Sequence, residues 1–99
     1  MGHIVTWSPR AIDDVDAIAA YIALDSESYA ASVVRTILEK TRSLSEFPYM
    51  ERVVPEFGDD AIREVFAYSY RIVYRIEVDE ITIAAVIHGK RLLEMAIEP

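Results

Sequence analysis

Apolar residues recur at helical spacing twice in the first half of the chain. Ala11, Val15, Ile18 and Ile22 fall on one stripe, and Ala30, Val33, Val34, Ile37, Leu38, Thr41 and Leu44 continue a second, each pattern that of a helix with one buried face. Ser8-Pro9 opens the first helix, because a serine hydroxyl caps free N–H groups and proline suits the first helical position. Leu24-Asp25-Ser26 breaks the period with residues suited to capping. Two helices joined by so short a turn are expected to pack antiparallel as a hairpin. Ahead of them, Ile4-Val5-Thr6-Trp7 is β-branched and aromatic and reads as a strand.

The helical period ends at Phe47-Pro48. Residues 48–60 hold two prolines, one glycine and four acids, the composition of an ordered surface loop, with a short extended piece at Arg52-Val53-Val54. Residues 62–68, 70–78 and 81–88 are rich in Ile, Val, Tyr and Phe and separated by turn-sized gaps, so they are expected to be three strands of a meander. The fold expected is α+β: an N-terminal strand, an antiparallel helical hairpin, then a three-stranded antiparallel meander forming one sheet. It fills a single domain over residues 1–99, with 91–99 as a short C-terminal arm or helix.

Alternation divides the strand Tyr70-Arg71-Ile72-Val73-Tyr74-Arg75. Ile72, Tyr74, Ile76 and Val78 face the helices, and Arg71, Val73, Arg75 and Glu77 face away. A symmetric two-residue turn at Asp79-Glu80 would set Ile72 opposite Ile87, Tyr74 opposite Ala85 and Arg71 opposite His88. On that register the non-helical face gathers Arg71, Arg75 and His88, joined by Arg63 if the preceding strand pairs alongside. This is the expected working surface. The competing reading is that these arginines pair with carboxylates such as Glu64 or Glu77 and serve solubility alone.

Composition narrows the chemistry. The chain has 99 residues and a formal net charge of −7, which opposes a general coat for nucleic acid or anionic lipid. Up to Asp60 there are 5 basic against 11 acidic residues, and from Ala61 onward 5 against 6, so a local basic site fits only the second half. The longest apolar run, 81–87 with Thr82 inside it, is far short of the ~20 residues that span a bilayer. No secretory signal opens the chain, and a cytoplasmic protein is expected. The absence of cysteine excludes disulfides, thiol catalysis and Cys-ligated zinc. Asp13, Asp14 and Asp16 lack the glycine and distal glutamate of a calcium loop and read as a solvated helix face. Three glycines cannot build a phosphate-cradling loop, so P-loop and dinucleotide readings fall away. RNA cleavage through a ribose hydroxyl needs a base, an acid and cations for the phosphorane, a set that Arg71, His88 and Arg91 fill only in part.

One ordered series of motifs carries a resemblance. Trp7-Ser8-Pro9, Ala20-Tyr21-Ile22-Ala23, Phe47-Pro48, Val53-Val54-Pro55-Glu56-Phe57, Ile62-Arg63-Glu64, the Tyr70 to Arg75 run and His88-Gly89-Lys90-Arg91 follow one another over nearly the whole chain. Together they resemble the ParE branch of the RelE/ParE superfamily, toxins of bacterial type II toxin–antitoxin modules.

The resemblance implies a strand, a helical hairpin and an antiparallel meander. It also implies a cognate antitoxin whose C-terminal segment wraps the toxin by coupled folding and binding, in a toxin–antitoxin hetero-oligomer that acts in growth arrest and plasmid stabilization. ParE-type members poison DNA gyrase without turnover, which makes Arg63, Arg71, Arg75 and Arg91 the candidate target contacts, with no cofactor, no metal, no membrane and no direct DNA binding. RelE-type members instead cut ribosome-bound mRNA, and Arg71 and Arg91 match two of their arginines, with His88 as a candidate base. However, the strand that carries lysines in those enzymes reads Ile62-Arg63-Glu64 here, and Ile97 takes the place of their C-terminal tyrosine. A third alternative is a decayed toxin that retains antitoxin binding only. Where relatives carry Gly-Arg after Phe-Pro this chain has Glu51-Arg52, so a loop geometry that needed a positive φ would have to change.

Overall fold

The structure is a computed structural model, and residues 2–90 are described. Seven elements follow in order: β1 (Ile4–Trp7), α1 (Pro9–Ala23), α2 (Glu27–Ser43), β2 (Arg52–Val53), β3 (Ile62–Ala67), β4 (Tyr70–Ile76) and β5 (Glu80–His88). The strands form one five-stranded sheet in the order β1-β5-β4-β3-β2. β1 runs parallel to β5, and the other three pairings are antiparallel.

Both helices begin on the predicted caps. The Ser8 hydroxyl accepts the Ala11 N–H at 3.0 Å, and the Ser26 hydroxyl accepts the Tyr29 N–H at 3.1 Å, relieving free donors that no earlier turn can satisfy. α1 packs on β5 and α2 on β3. Ala11 and Ile22 from α1 and Ala30, Val33 and Ile37 from α2 meet Ile72, Tyr74, Ile76, Ile81 and Ile83 in one apolar core. Tyr74, the largest fully buried side chain, donates its hydroxyl to the Pro48 carbonyl at 2.7 Å and so ties the central strand to the loop after α2.

The register differs from the symmetric expectation. The Glu77 N–H donates to the Glu80 carbonyl, so Val78-Asp79, not Asp79-Glu80, occupies the turn. Ile76 then faces Ile81 and Tyr74 faces Ile83, until a bulge at Ala84 shifts the outer half, where Val73 faces Ala85, Arg71 faces Ile87 and Tyr70 faces His88. Two consequences correct the expected working surface. His88 shares a face with Tyr70 on the helical side, opposite to Arg71. Arg63 pairs with Tyr74 and is likewise on the helical side.

Beyond Trp7, β5 runs on without a strand neighbour at its edge, and α1 supplies the missing partners. The Ser8 hydroxyl donates to the Ala84 carbonyl at 3.0 Å, and an Asp14 carboxylate oxygen accepts the Val86 N–H at 2.9 Å. Asp14 is therefore a structural ligand of the sheet edge, where the sequence suggested one of three solvated acids.

Candidate functional site

The face of the sheet away from the helices is not open. The loop 54–60 folds over it, and Val54 joins Val73, Ala85 and Ile87, with Ile62 beside them, in a second small apolar cluster. The Val54 carbonyl accepts both the Phe57 and the Gly58 N–H, and Gly58 takes the positive φ of 61° that closes the turn. Glu51 has no positive φ, so the substitution of Glu for the relatives' Gly needs no strained backbone.

Arg71 lies under this loop at 5% exposure, and Glu64 at 1%. The guanidinium makes a two-pronged contact with Glu56, Nη1 to Oε2 at 2.8 Å and Nη2 to Oε1 at 2.9 Å, while its Nε and Nη2 both reach Glu64 Oε1. The other Glu64 oxygen accepts from Arg52 Nε, and the Arg52 guanidinium sits 5.9 Å from the centre of the Phe66 ring. Two carboxylates and two guanidinium groups sum to no net charge. The hydrogen bond with Glu56 is the main influence holding the Arg71 pKa above its ordinary value; burial opposes it, and the hydrogen bond and charge of Glu64 reinforce it. Arg71 is thus a fixed cation, and its charge is already matched. This is the pairing with Glu64 that the sequence offered as its plainer reading, with Glu56 added from a loop whose path no periodicity reveals.

Arg63 is also committed. It donates to the Tyr49 and Glu51 carbonyls at 3.2 and 2.8 Å and to the Asp60 side chain at 2.7 Å, with Tyr49's ring centre 5.2 Å away. It fastens both ends of the loop 48–60. Arg75 differs: it is exposed, on the outer face, and makes no ion pair among the described residues. Arg91 and the arm 91–99 lie outside the described residues. His88 Nδ1 accepts the Lys90 N–H at 3.3 Å, on the face opposite to Arg71. Arg71 and His88, two of the candidate nuclease set, are therefore not brought together. No group of three metal-ligating side chains occurs among the described residues.

The helical side carries a different feature. Along the outer seam between α1 and α2 runs an open apolar groove of about 640 Å³, floored by Ala19, Ala20, Ala23, Ala30, Ala31, Val34 and Leu38 and rimmed by Glu27, Arg35 and Arg42. Leu38 also lines a second groove with Trp7, Ile12 and Val15. Most of the α2 stripe is buried; Val34 and Leu38 face this seam instead. The floor is built mainly of alanines.

Comparison with known proteins fits this arrangement of hairpin and sheet. The family model for the ParE toxin of the type II toxin–antitoxin system parDE matches residues 5–93. The match spans nearly the whole sequence, and the chain belongs to the ParE toxin family. Among solved structures, a chain of the chromosomal ParDE TA system from P. aeruginosa superposes with a TM-score of 0.73, over 89% of this chain and 97% of that one, at 21% identity. At that identity the likeness concerns the fold. No curated protein matches the chain. No helix among the described residues is long and apolar enough to cross a membrane.

Proposed function

We propose that this chain is a non-catalytic toxin that inhibits DNA gyrase in the cytoplasm by binding it, and that a cognate antitoxin neutralises it. The observation that supports a binding inhibitor over an RNA-cleaving relative is the state of Arg71. Cleavage at a ribose hydroxyl calls for a cation whose charge is available to the developing phosphorane. Arg71 is buried and matched by two carboxylates, and His88 is on the other side of the sheet. Arg75 is the outer-face cation that remains available to a target, with Arg91 as a second contact beyond the described residues. Arg63 and Arg71 act one step back, by holding the loop and strand that present them.

The groove between α1 and α2 suits the antitoxin. An amphipathic helix that lays Leu, Val or Ala side chains on Val34 and Leu38 would bury them from water, and the rim of Glu27, Arg35 and Arg42 would set its direction. Family membership supports a partner of this kind.

Purified protein assayed against gyrase should block supercoiling, and Arg75→Glu should weaken the block at least tenfold without lowering thermal stability. Absence of inhibition and of trapped cleavage complexes at high toxin excess would refute the proposal. Cleavage of message on translating ribosomes would replace it with the RelE-like reading, and unimpaired growth on expression without antitoxin would replace it with the decayed-toxin reading.

A further inference from the structure

A cleft of about 390 Å³ opens where the α1–α2 turn meets the β3–β4 hairpin, lined by Tyr21, Asp25, Tyr29, Tyr68, Tyr70 and His88 among others. It is separate from the apolar groove and from the ionic cluster. Four of the chain's six tyrosines converge on it. Tyr29 and Tyr68 meet edge to face at 5.7 Å and 89°, and Tyr70 and His88 do the same at 5.9 Å and 80°. Tyr21 is 72% exposed and Tyr68 50%. So much aromatic surface is left open although the molecule has a complete core elsewhere.

The backbone adds a second sign. Tyr68 has φ of 56°, the one non-glycine residue with a positive value among those described. It is the first residue of the two-residue turn between Ala67 and Tyr70, a place that glycine fills when stability alone decides. A bulky side chain in left-handed backbone is strained, and such strain persists where the side chain is used. Here the Tyr68 ring lines the cleft and meets Tyr29 edge to face.

Charge selects the guest. Asp25 is exposed on the rim and has no ion pair or side-chain hydrogen bond among the described residues. Asp14, which borders the adjoining cleft that shares Tyr21, Tyr70 and His88, is already paired with Arg10, so Asp25 is the rim carboxylate open to a cation, in a chain that carries −7 overall. The π faces of tyrosine attract cations, most strongly with a carboxylate alongside, and the same field repels phosphates. We propose that this cleft is a docking pocket for an arginine side chain presented by a protein partner, the guanidinium lying against the tyrosine rings and reaching Asp25. It does not depend on the identity of the toxin's target.

The test uses the purified chain with ring-labelled tyrosine, followed by NMR. The probe is the peptide acetyl-Gly-Arg-Gly-amide, compared with its neutral isostere in which citrulline replaces arginine. Saturating shifts are expected at Tyr21, Tyr29, Tyr68 and Tyr70, with Tyr49 and Tyr74 unmoved as internal references and the citrulline peptide at least fivefold weaker. Asp25→Asn should weaken the arginine peptide about threefold. Tyr68→Gly, which suits the turn and keeps the fold, should weaken it more. Equal binding of the two peptides, shifts centred on Tyr49, or no shift at all would overturn the proposal. So would tighter binding of a thymidine oligonucleotide at the same rings, which would mark a base-stacking site.

Discussion

Arg71 is a residue whose type suggested chemistry and whose surroundings assign it to structure. Its guanidinium makes hydrogen bonds with Glu56 and Glu64 while almost hidden from water. Arg71→Ala leaves Glu64 buried with only Arg52 as partner, and removal of one member of a buried ion pair costs about 3–5 kcal/mol. Equilibrium urea denaturation should register a loss of that size, and Arg71→Lys, which cannot form the two-pronged contact, should recover only part of it. Tyr74 gives a prediction with a pH signature. Burial pushes its phenol pKa above the ordinary value, the Glu51 charge adds to this and the Arg63 charge opposes it. The neutral phenol is therefore favoured in the fold. Stability from this preference is complete below about pH 10, the ordinary pKa, and is lost above it, where the unfolded chain ionises and the folded one resists. Tyr74→Phe should cost about 0.5–1.5 kcal/mol at neutral pH for the lost bond to Pro48. That gap should shrink as denaturation curves are repeated from pH 9 to pH 11.

At the scale of elements, the sequence was most legible where local chemistry decides. Ser8 and Ser26 cap the helices as their positions imply, and the inward set of Ile72, Tyr74 and Ile76 follows from strict alternation on β4. The register was not legible. Neither candidate turn pair contains glycine, and nothing about Ala84 and Ala85 marks a bulge, so a shift of one residue moved His88 to the helical face. The burial of Arg71 was hidden for another reason: it depends on how the loop 54–60 folds back, and loops carry no period. Asp14 was misjudged because only one of three neighbouring aspartates reaches a strand edge, a matter of α1's distance from β5. Asp14→Ala should expose that debt. With the Val86 N–H unpaired and the Arg10 contact gone, stability should fall about 1–3 kcal/mol, whereas Asp14→Asn, which keeps an acceptor, should fall by less than half as much in the same denaturation experiment.

For the whole molecule, the proposed function divides between the two sides of the sheet. The helical side carries the apolar groove, and the outer side carries the exposed Arg75 and the neutral ionic cluster. Leu38 belongs to both grooves of the helical side and is 38% exposed, so Leu38→Asp tests the groove with little effect on the core. Calorimetric titration with the cognate antitoxin should weaken by at least tenfold while the melting temperature stays within a few degrees. On the proposed function, inhibition of gyrase by the same variant should persist, giving a toxin that its antidote no longer controls.

The sharing of Glu64 between Arg71 and Arg52 has a consequence for how such a chain can evolve. A change to an exposed, charge-rich cleavage surface would require releasing Arg71, and each single step towards that strands a buried carboxylate. Glu56, Glu64 and the loop that carries Glu56 would have to change together. On the proposed function the ionic layer is thus an epistatic barrier: intermediates between a binding toxin and a cleaving one lose stability before they gain chemistry. Lineages on either side of it are expected to stay there.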